Sequence, residues 1–153
     1  KWNLISIDYS KDAINLATDY IDNNICIVGD INNLTIKDKC IDIIIDFLSP
    51  YSESEVKRVL KKGGIFIKIA PSSNYLLELR EASGLGKYQK QQEIIDNLGK
   101  YFKDIVTENY QRTFKIEKDD IENLIGMTPL KLKTNNLKIE QITIDLNVYK
   151  MAK

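Results

Sequence analysis

The sequence predicts a doubly wound α/β sheet, with strands buried between helices in three layers. Three observations carry that expectation. Residues 52–71, SESEVKRVLKKGGIFIKIAP, pass from a helical apolar period into a near-continuous apolar run. Further apolar runs at Ile25–Val28 and Ile41–Leu48 are separated by polar or helix-patterned stretches. Near the end, Ile142, Ile144, Leu146 and Val148 alternate with Thr143, Asp145, Asn147 and Tyr149, a period-two strand. At 153 residues the chain is read as a single domain with a sizeable core.

Taken in order, Trp2–Ile7 reads as a strand closed by Asp8. Ser10 suits a helix cap, and Ala13, Ile14, Ala17, Tyr20 and Ile21 form the buried face of a helix from Lys11 to about Asp22. Ile25–Val28 is a short strand ending at Gly29-Asp30, and Asn32–Lys39 a polar loop with Leu34 and Ile36 tucked in. Ile41–Leu48 reads as a strongly buried strand. Ser52 and Glu55 then stand at capping-box spacing, where each side chain satisfies an orphan amide. Val56, Val59 and Leu60 share one face of that helix, with Lys57, Arg58, Lys61 and Lys62 facing water and Gly63 as a left-handed stop. The strand after Gly64 is expected to be buried on both faces. Helices at Asn74–Ala82, Gln92–Phe102 and Lys118–Ile125, and an extended stretch at Ile105–Phe114, complete the pattern.

Composition narrows the chemistry. Lys+Arg and Asp+Glu balance at 22 each, so no global basic field announces a nucleic-acid partner, although local patches remain open. Histidine is absent, which removes the usual general base and the commonest metal ligand. Cys26 and Cys40 lie far outside CxxC spacing and read as buried reduced thiols, so no metal site is expected. No apolar stretch is long enough to span a bilayer and no signal peptide is visible, so the expected compartment is the cytoplasm.

In such sheets ligands bind beyond the carboxyl ends of the strands, and two acids stand there. Asp8 precedes a helix, where a carboxylate can accept both hydrogen bonds of a ribose diol. Asp30 follows a glycine, where it can accept from the exocyclic amine of adenine. Each alone is also an ordinary turn or cap residue. Both together, spaced by one helix, favour an adenosine-containing ligand. Tyr110 and Tyr149 have the chemistry to stack on a base, but alternate strand positions explain them equally. Lys131 and Lys133 suit phosphate or a solvated strand face. Ser49 has no histidine or other evident base beside it, against a nucleophilic role.

The strings IDYSKDAI, VGDINNL, CIDIIIDFLSP, VKRVLKKGGIFIKIAP and YLLELRE resemble in series the class I S-adenosylmethionine-dependent methyltransferases. FLSPY, KRVLKKGG, APSSNYLLELRE and MTPL are similar to the large-subunit rRNA (guanine-N1) methyltransferase family. The resemblance implies a three-layer Rossmann-like sheet, mostly parallel with an antiparallel last strand. It also implies S-adenosylmethionine as cofactor, rRNA as partner, and methyl transfer to guanine N1. By position, Asp8 would bind the ribose hydroxyls, Tyr9 would pack near adenine, and Asp30 would meet the adenine amine beside the Ile31 backbone. Phe47, Leu48, Ser49 and Pro50 would form the loop where methyl donor and acceptor meet, and Phe47 would also touch the cofactor. Met127, Thr128 and Pro129 would belong to a substrate-facing insertion. For each of these a plainer role stands alongside: a strand end turned by proline for Phe47–Pro50, core filling for Met127. Guanine N1 carries a proton that must be accepted, and Asp46 is a candidate if its side chain reaches the ligand face.

The family pattern places a strand and a glycine-rich turn before IDYSK, and an amino-terminal zinc module before that; this sequence shows neither. The chain is therefore expected to be a partial methyltransferase domain, with weak or absent cofactor binding when isolated. The missing first strand would lie between Trp2–Ile7 and Ile41–Leu48. The two flanking strands either pair directly, receive a strand from a second copy or from the amino-terminal segment, or Trp2–Ile7 detaches and rearranges; closure or donation is the expectation. Two other readings stay open: a small-molecule methyltransferase, and a non-catalytic interaction module.

Overall fold

The computed structural model of the chain describes residues 3–20, 24–128, 130, 132 and 138–153. Expectations that fall on Trp2, Ile21, Pro129, Lys131 and Lys133 lie outside the described residues. The elements run β1 (Leu4–Asp8), α1 (Lys11–Tyr20), β2 (Asn24–Val28), β3 (Ile41–Phe47), α2 (Glu53–Val59), β4 (Leu60–Pro71), α3 (Leu77–Ala82), α4 (Gln91–Gly99), β5 (Lys103–Lys115), α5 (Lys118–Gly126) and β6 (Gln141–Ala152). Strands β1 and β2 form a parallel pair, and a four-stranded sheet has the order β3-β4-β6-β5. Backbone bonds from Cys40 N to Val59 O and from Leu48 N to Ile69 O make β3 and β4 parallel. Bonds from Gly63 N to Lys153 O and from Ser72 N to Asp145 O set β6 antiparallel to β4. This is the expected α/β architecture, with parallel pairs first and an antiparallel final strand.

The chain divides into two compact units: residues 1–44, 49–66 and 152–153, and residues 45–48 and 67–151. In the first, Ser10 caps α1 by accepting from the Ala13 amide at 3.2 Å. Ile14 is the buried residue of α1, while Tyr20, expected on the buried face, is exposed. Ser52 Oγ accepts from the Glu55 amide at 3.4 Å, which is half of the expected capping box. The other half is absent because the Glu55 carboxylate is engaged by Leu34 and Arg58.

The end of α2 differs from the sequence reading. The helix stops at Val59, and Leu60 is already extended (φ −64°, ψ 137°). The glycines lie inside β4 and do not form its preceding stop. Val59 O accepts from the Cys40 amide at 2.9 Å, so the sheet takes over the helix's carbonyls four residues before Gly63. Gly63 keeps its left-handed conformation (φ 76°) within the strand, and Gly64 allows close approach: a side chain there would come within 3.0 Å of Lys61 O and 3.2 Å of Asp42 O.

In the second unit Leu76, Leu79, Ile121, Ile125 and Ile142 form a core cluster. On β6 the more buried side includes Thr143, Asp145, Tyr149 and Met151, so the polar positions of the alternating pattern point inward. Their partners explain it. Asp145 accepts from the Asn74 amide and from Asn109 Nδ2, both at 2.8 Å, and Thr143 bonds the Glu78 carboxylate through both its amide and its hydroxyl.

Three further expectations are corrected. Strand β3 was expected to be buried, yet Ile45 is 65 % exposed and Phe47 60 %. The expected direct pairing of β1 with β3 is not found among the described residues, where β1 belongs to the two-stranded sheet and β3 ends the four-stranded one. Cys40 is likewise exposed, its thiol donating to Lys37 O, and Cys26 is half-buried.

Candidate functional site

The parallel register of β1 and β2 brings the two expected acids together. Asp8 lies opposite Val28, and the Gly29 amide donates to Asp8 O at 3.0 Å, so Asp30 follows directly beside the end of β1. Both carboxylates are held in the same way. Asp8 Oδ1 accepts from the Ser10 amide at 2.7 Å; Asp30 Oδ1 accepts from the Asn32 amide at 2.8 Å and from Asn32 Nδ2 at 3.1 Å. The plainer turn-and-cap role is therefore real for both residues. It also fixes each carboxylate through one oxygen and leaves Oδ2 without a partner among the described residues. Two oriented, exposed acceptors at adjacent strand ends can take a vicinal diol and an amine. Tyr9, beside Asp8, is 83 % exposed, and Ile31 follows Asp30 half-buried.

At the end of β3, Leu48 has a left-handed backbone (φ 55°), held by its amide bond to Ile69 O at 3.0 Å. A branched residue held in that conformation is strained, and such strain concentrates where a chain must be aimed. Phe47 projects into solvent, and Ser49 and Pro50 are also exposed, with Ser49 Oγ donating to Pro50 O. Asp46 does not present its carboxylate to a ligand. It is 8 % exposed and ion-paired at 3.0 Å with Lys68, itself buried in β4. Met127, the C-cap of α5, is 84 % exposed, so the core-filling role is excluded, and Thr128 bonds back to Ile125 O. No group of three or more metal-ligating side chains occurs among the described residues.

The adenosine half of S-adenosylmethionine fits these residues, since a diol and an amine find a free carboxylate oxygen each. For the methionine half this chain offers no glycine-rich turn between a strand and a helix. Gly29 follows β2, Gly63 and Gly64 lie in β4, Gly84 and Gly86 lie between α3 and α4, and Gly99 and Gly126 end helices.

Sequence reading missed two arrangements. Arg58, assigned to the solvent face, is instead the centre of a polar cluster that holds residues 34–38. The Glu55/Arg58 spacing of three on a helix was the available signal. Lys68 was passed over within an apolar strand. A single lysine and a single aspartate, each interrupting an apolar run in neighbouring strands, is a pattern that points to a buried pair.

A methyltransferase-domain family model matches residues 1–68. A Bacillus subtilis protein, provisionally named a 23S rRNA (guanine-N1)-methyltransferase, is 36 % identical over 75 residues, 49 % of this chain and 27 % of that protein. The 23S rRNA (guanine(748)-N1)-methyltransferase of Streptomyces fradiae is 24 % identical over 126 residues, 80 % of this chain and 45 % of that protein. The chain thus spans less than half the length of these relatives. Among solved structures, the YcgJ protein of Bacillus subtilis superposes with a TM-score of 0.67 at 14 % identity, covering 97 % of this chain and 81 % of that one. An S-adenosylmethionine-dependent methyltransferase from Archaeoglobus fulgidus gives 0.59 at 15 % identity, with 97 % and 75 % covered. The fold is that of class I methyltransferases.

Proposed function

We propose that this chain, a class I methyltransferase-fold segment with guanine-N1 methyltransferases among its relatives, is part of an enzyme that methylates guanine N1 of large-subunit rRNA. The observation that carries the reading is the side-by-side placement of Asp8 and Asp30, each with one oxygen held and the other without a partner among the described residues. Asp8 accepts from the ribose hydroxyls and Asp30 from the adenine amine, with Ile31 beside it and the exposed Tyr9 ring covering the base. S-adenosylmethionine, when bound, supplies a methyl group already activated on a sulfonium. The chain's task is then alignment, and the family resemblance assigns that task to the loop of Phe47, Ser49 and Pro50. Met127 and Thr128, exposed at the end of α5, serve the RNA side. The acceptor of the N1 proton is not Asp46, whose carboxylate is buried against Lys68. Among the described residues β1 pairs with β2 alone, and its other edge is suited to receive a strand from another segment or a second copy.

The test is methylation of 23S rRNA by the full-length enzyme carrying this segment. A methyl on guanine N1 removes a Watson–Crick donor, so the expected result is a primer-extension stop at one guanine. Isolated residues 1–153 are expected to give no stop. Transfer to a small molecule, or to a ribose or another base atom, contradicts the reading.

A further inference from the structure

Between β2 and β3, residues 31–40 form turns and bends with neither helix nor strand. What holds this segment is α2. Arg58 Nη2 donates to Leu34 O at 2.9 Å, and Nη1 donates to Ile36 O at 2.8 Å and to Asp38 Oδ1 at 2.7 Å. The guanidinium is fixed in turn by Glu55, through Nε and Nη2 at 2.7 Å each. Glu55 Oε2 also accepts from the Leu34 amide at 2.8 Å, and the Lys39 amide donates to Arg58 O at 3.0 Å. Within the segment the Asn33 amide donates to Asp30 O at 3.1 Å, and Asn32 orients the Asp30 carboxylate. Leu34, the first clamped residue, stands two positions from Asn32. The chain of constraint therefore runs from α2 through Leu34 and Asn32 to Asp30.

We infer that Arg58, locked by Glu55, is a positioning residue that aims Asp30 at the amine of an adenine nucleoside. The inference rests on the proposed reading of Asp8 and Asp30 as an adenosine site. Three acceptors on different residues match the rigid, planar fork of a guanidinium, whereas a lysine ammonium on a flexible stem reaches only some of them. Without the fork the loop keeps its covalent path but not its aim. Asp30 then no longer distinguishes a base that presents an amine from one that presents a carbonyl at the same position.

Adenosine and inosine differ at that position, and amide-resolved NMR titration of this chain with each reads the difference. Wild type is expected to prefer adenosine by about tenfold, one hydrogen bond's worth of discrimination. In Arg58→Met that ratio is expected to fall towards one. Amides of residues 32–38 should exchange faster there while those of β1 and β2 keep their protection. Arg58→Lys is expected to recover part of the ratio. A folded Arg58→Met that keeps the full ratio overturns the inference, since a purely structural clamp alters stability and not discrimination. If Arg58→Met does not fold, Glu55→Gln is measured in its place. It retains an acceptor for Leu34 but loses the ion pair, and an unchanged ratio there overturns the inference equally. If wild type shows no response to either nucleoside at Asp8 and Asp30, the adenosine reading itself fails, and this inference with it.

Discussion

The Glu55 carboxylate accepts from Arg58 and from the Leu34 amide, and the Arg58 side chain holds its pKa below the ordinary 4.5. A carboxyl whose folded pKa is depressed contributes stability above its unfolded value, and that contribution is lost as pH falls through the folded value. The Leu34 amide proton should therefore report a titration with a midpoint below 4.5, with the loop loosening on the acid side. A midpoint at or above the ordinary value contradicts the clamp. Asp8 offers a second test. Asn in its place still accepts from the Ser10 amide, so folding should change by no more than about 0.5 kcal/mol. Its other group becomes a neutral amide, and a hydrogen bond to a charged acceptor contributes about 1.5–3 kcal/mol. In the full-length enzyme Asp8→Asn should raise the cofactor KM about ten- to hundredfold. An unchanged KM removes Asp8 from the site.

Most elements were legible from periodicity, because apolar spacing decides which face a helix or strand buries. Strands β1, β2, β4 and β6 and helices α1, α2, α4 and α5 fall where the pattern puts them, within a few residues. The misses have physical causes. The Gly63 stop failed because strand pairing at Val59 and Cys40 outcompetes a local cap signal. The inward polar positions of β6 were not readable, since alternation fixes two faces but not which one finds partners such as Asn74 and Asn109. Strand β3 carries the apolar run of a buried strand yet stands at a sheet edge, with Ile43, Ile45 and Phe47 exposed. An exposed apolar edge templates pairing with another chain. The isolated chain is thus expected to self-associate as concentration rises, and Ile45→Lys to hold it monomeric in sedimentation analysis. A wild-type chain that stays monomeric at high concentration contradicts this.

At the scale of the molecule, the second unit depends on the cluster of Leu76, Leu79, Ile121, Ile125 and Ile142. Leu79 is fully buried, so Leu79→Ala should lower stability by about 2–5 kcal/mol in denaturant unfolding. A cost under about 1 kcal/mol would mean that this cluster does not hold the unit. The candidate site was legible as residue types at strand ends, Asp8 and Asp30 above all. Its mechanical support was not, because Arg58 reaches back 20 residues to Asp38 and 24 to Leu34, beyond any local pattern. The central claim is that the ends of β1 and β2 form an adenosine site whose methionine cradle this chain does not supply. Titration of the labelled chain with S-adenosylhomocysteine, followed amide by amide, tests it most directly. The predicted result is shifts centred on Asp8, Tyr9, Asp30 and Ile31 that saturate well above micromolar ligand. Submicromolar binding, or shifts centred anywhere else, contradicts it.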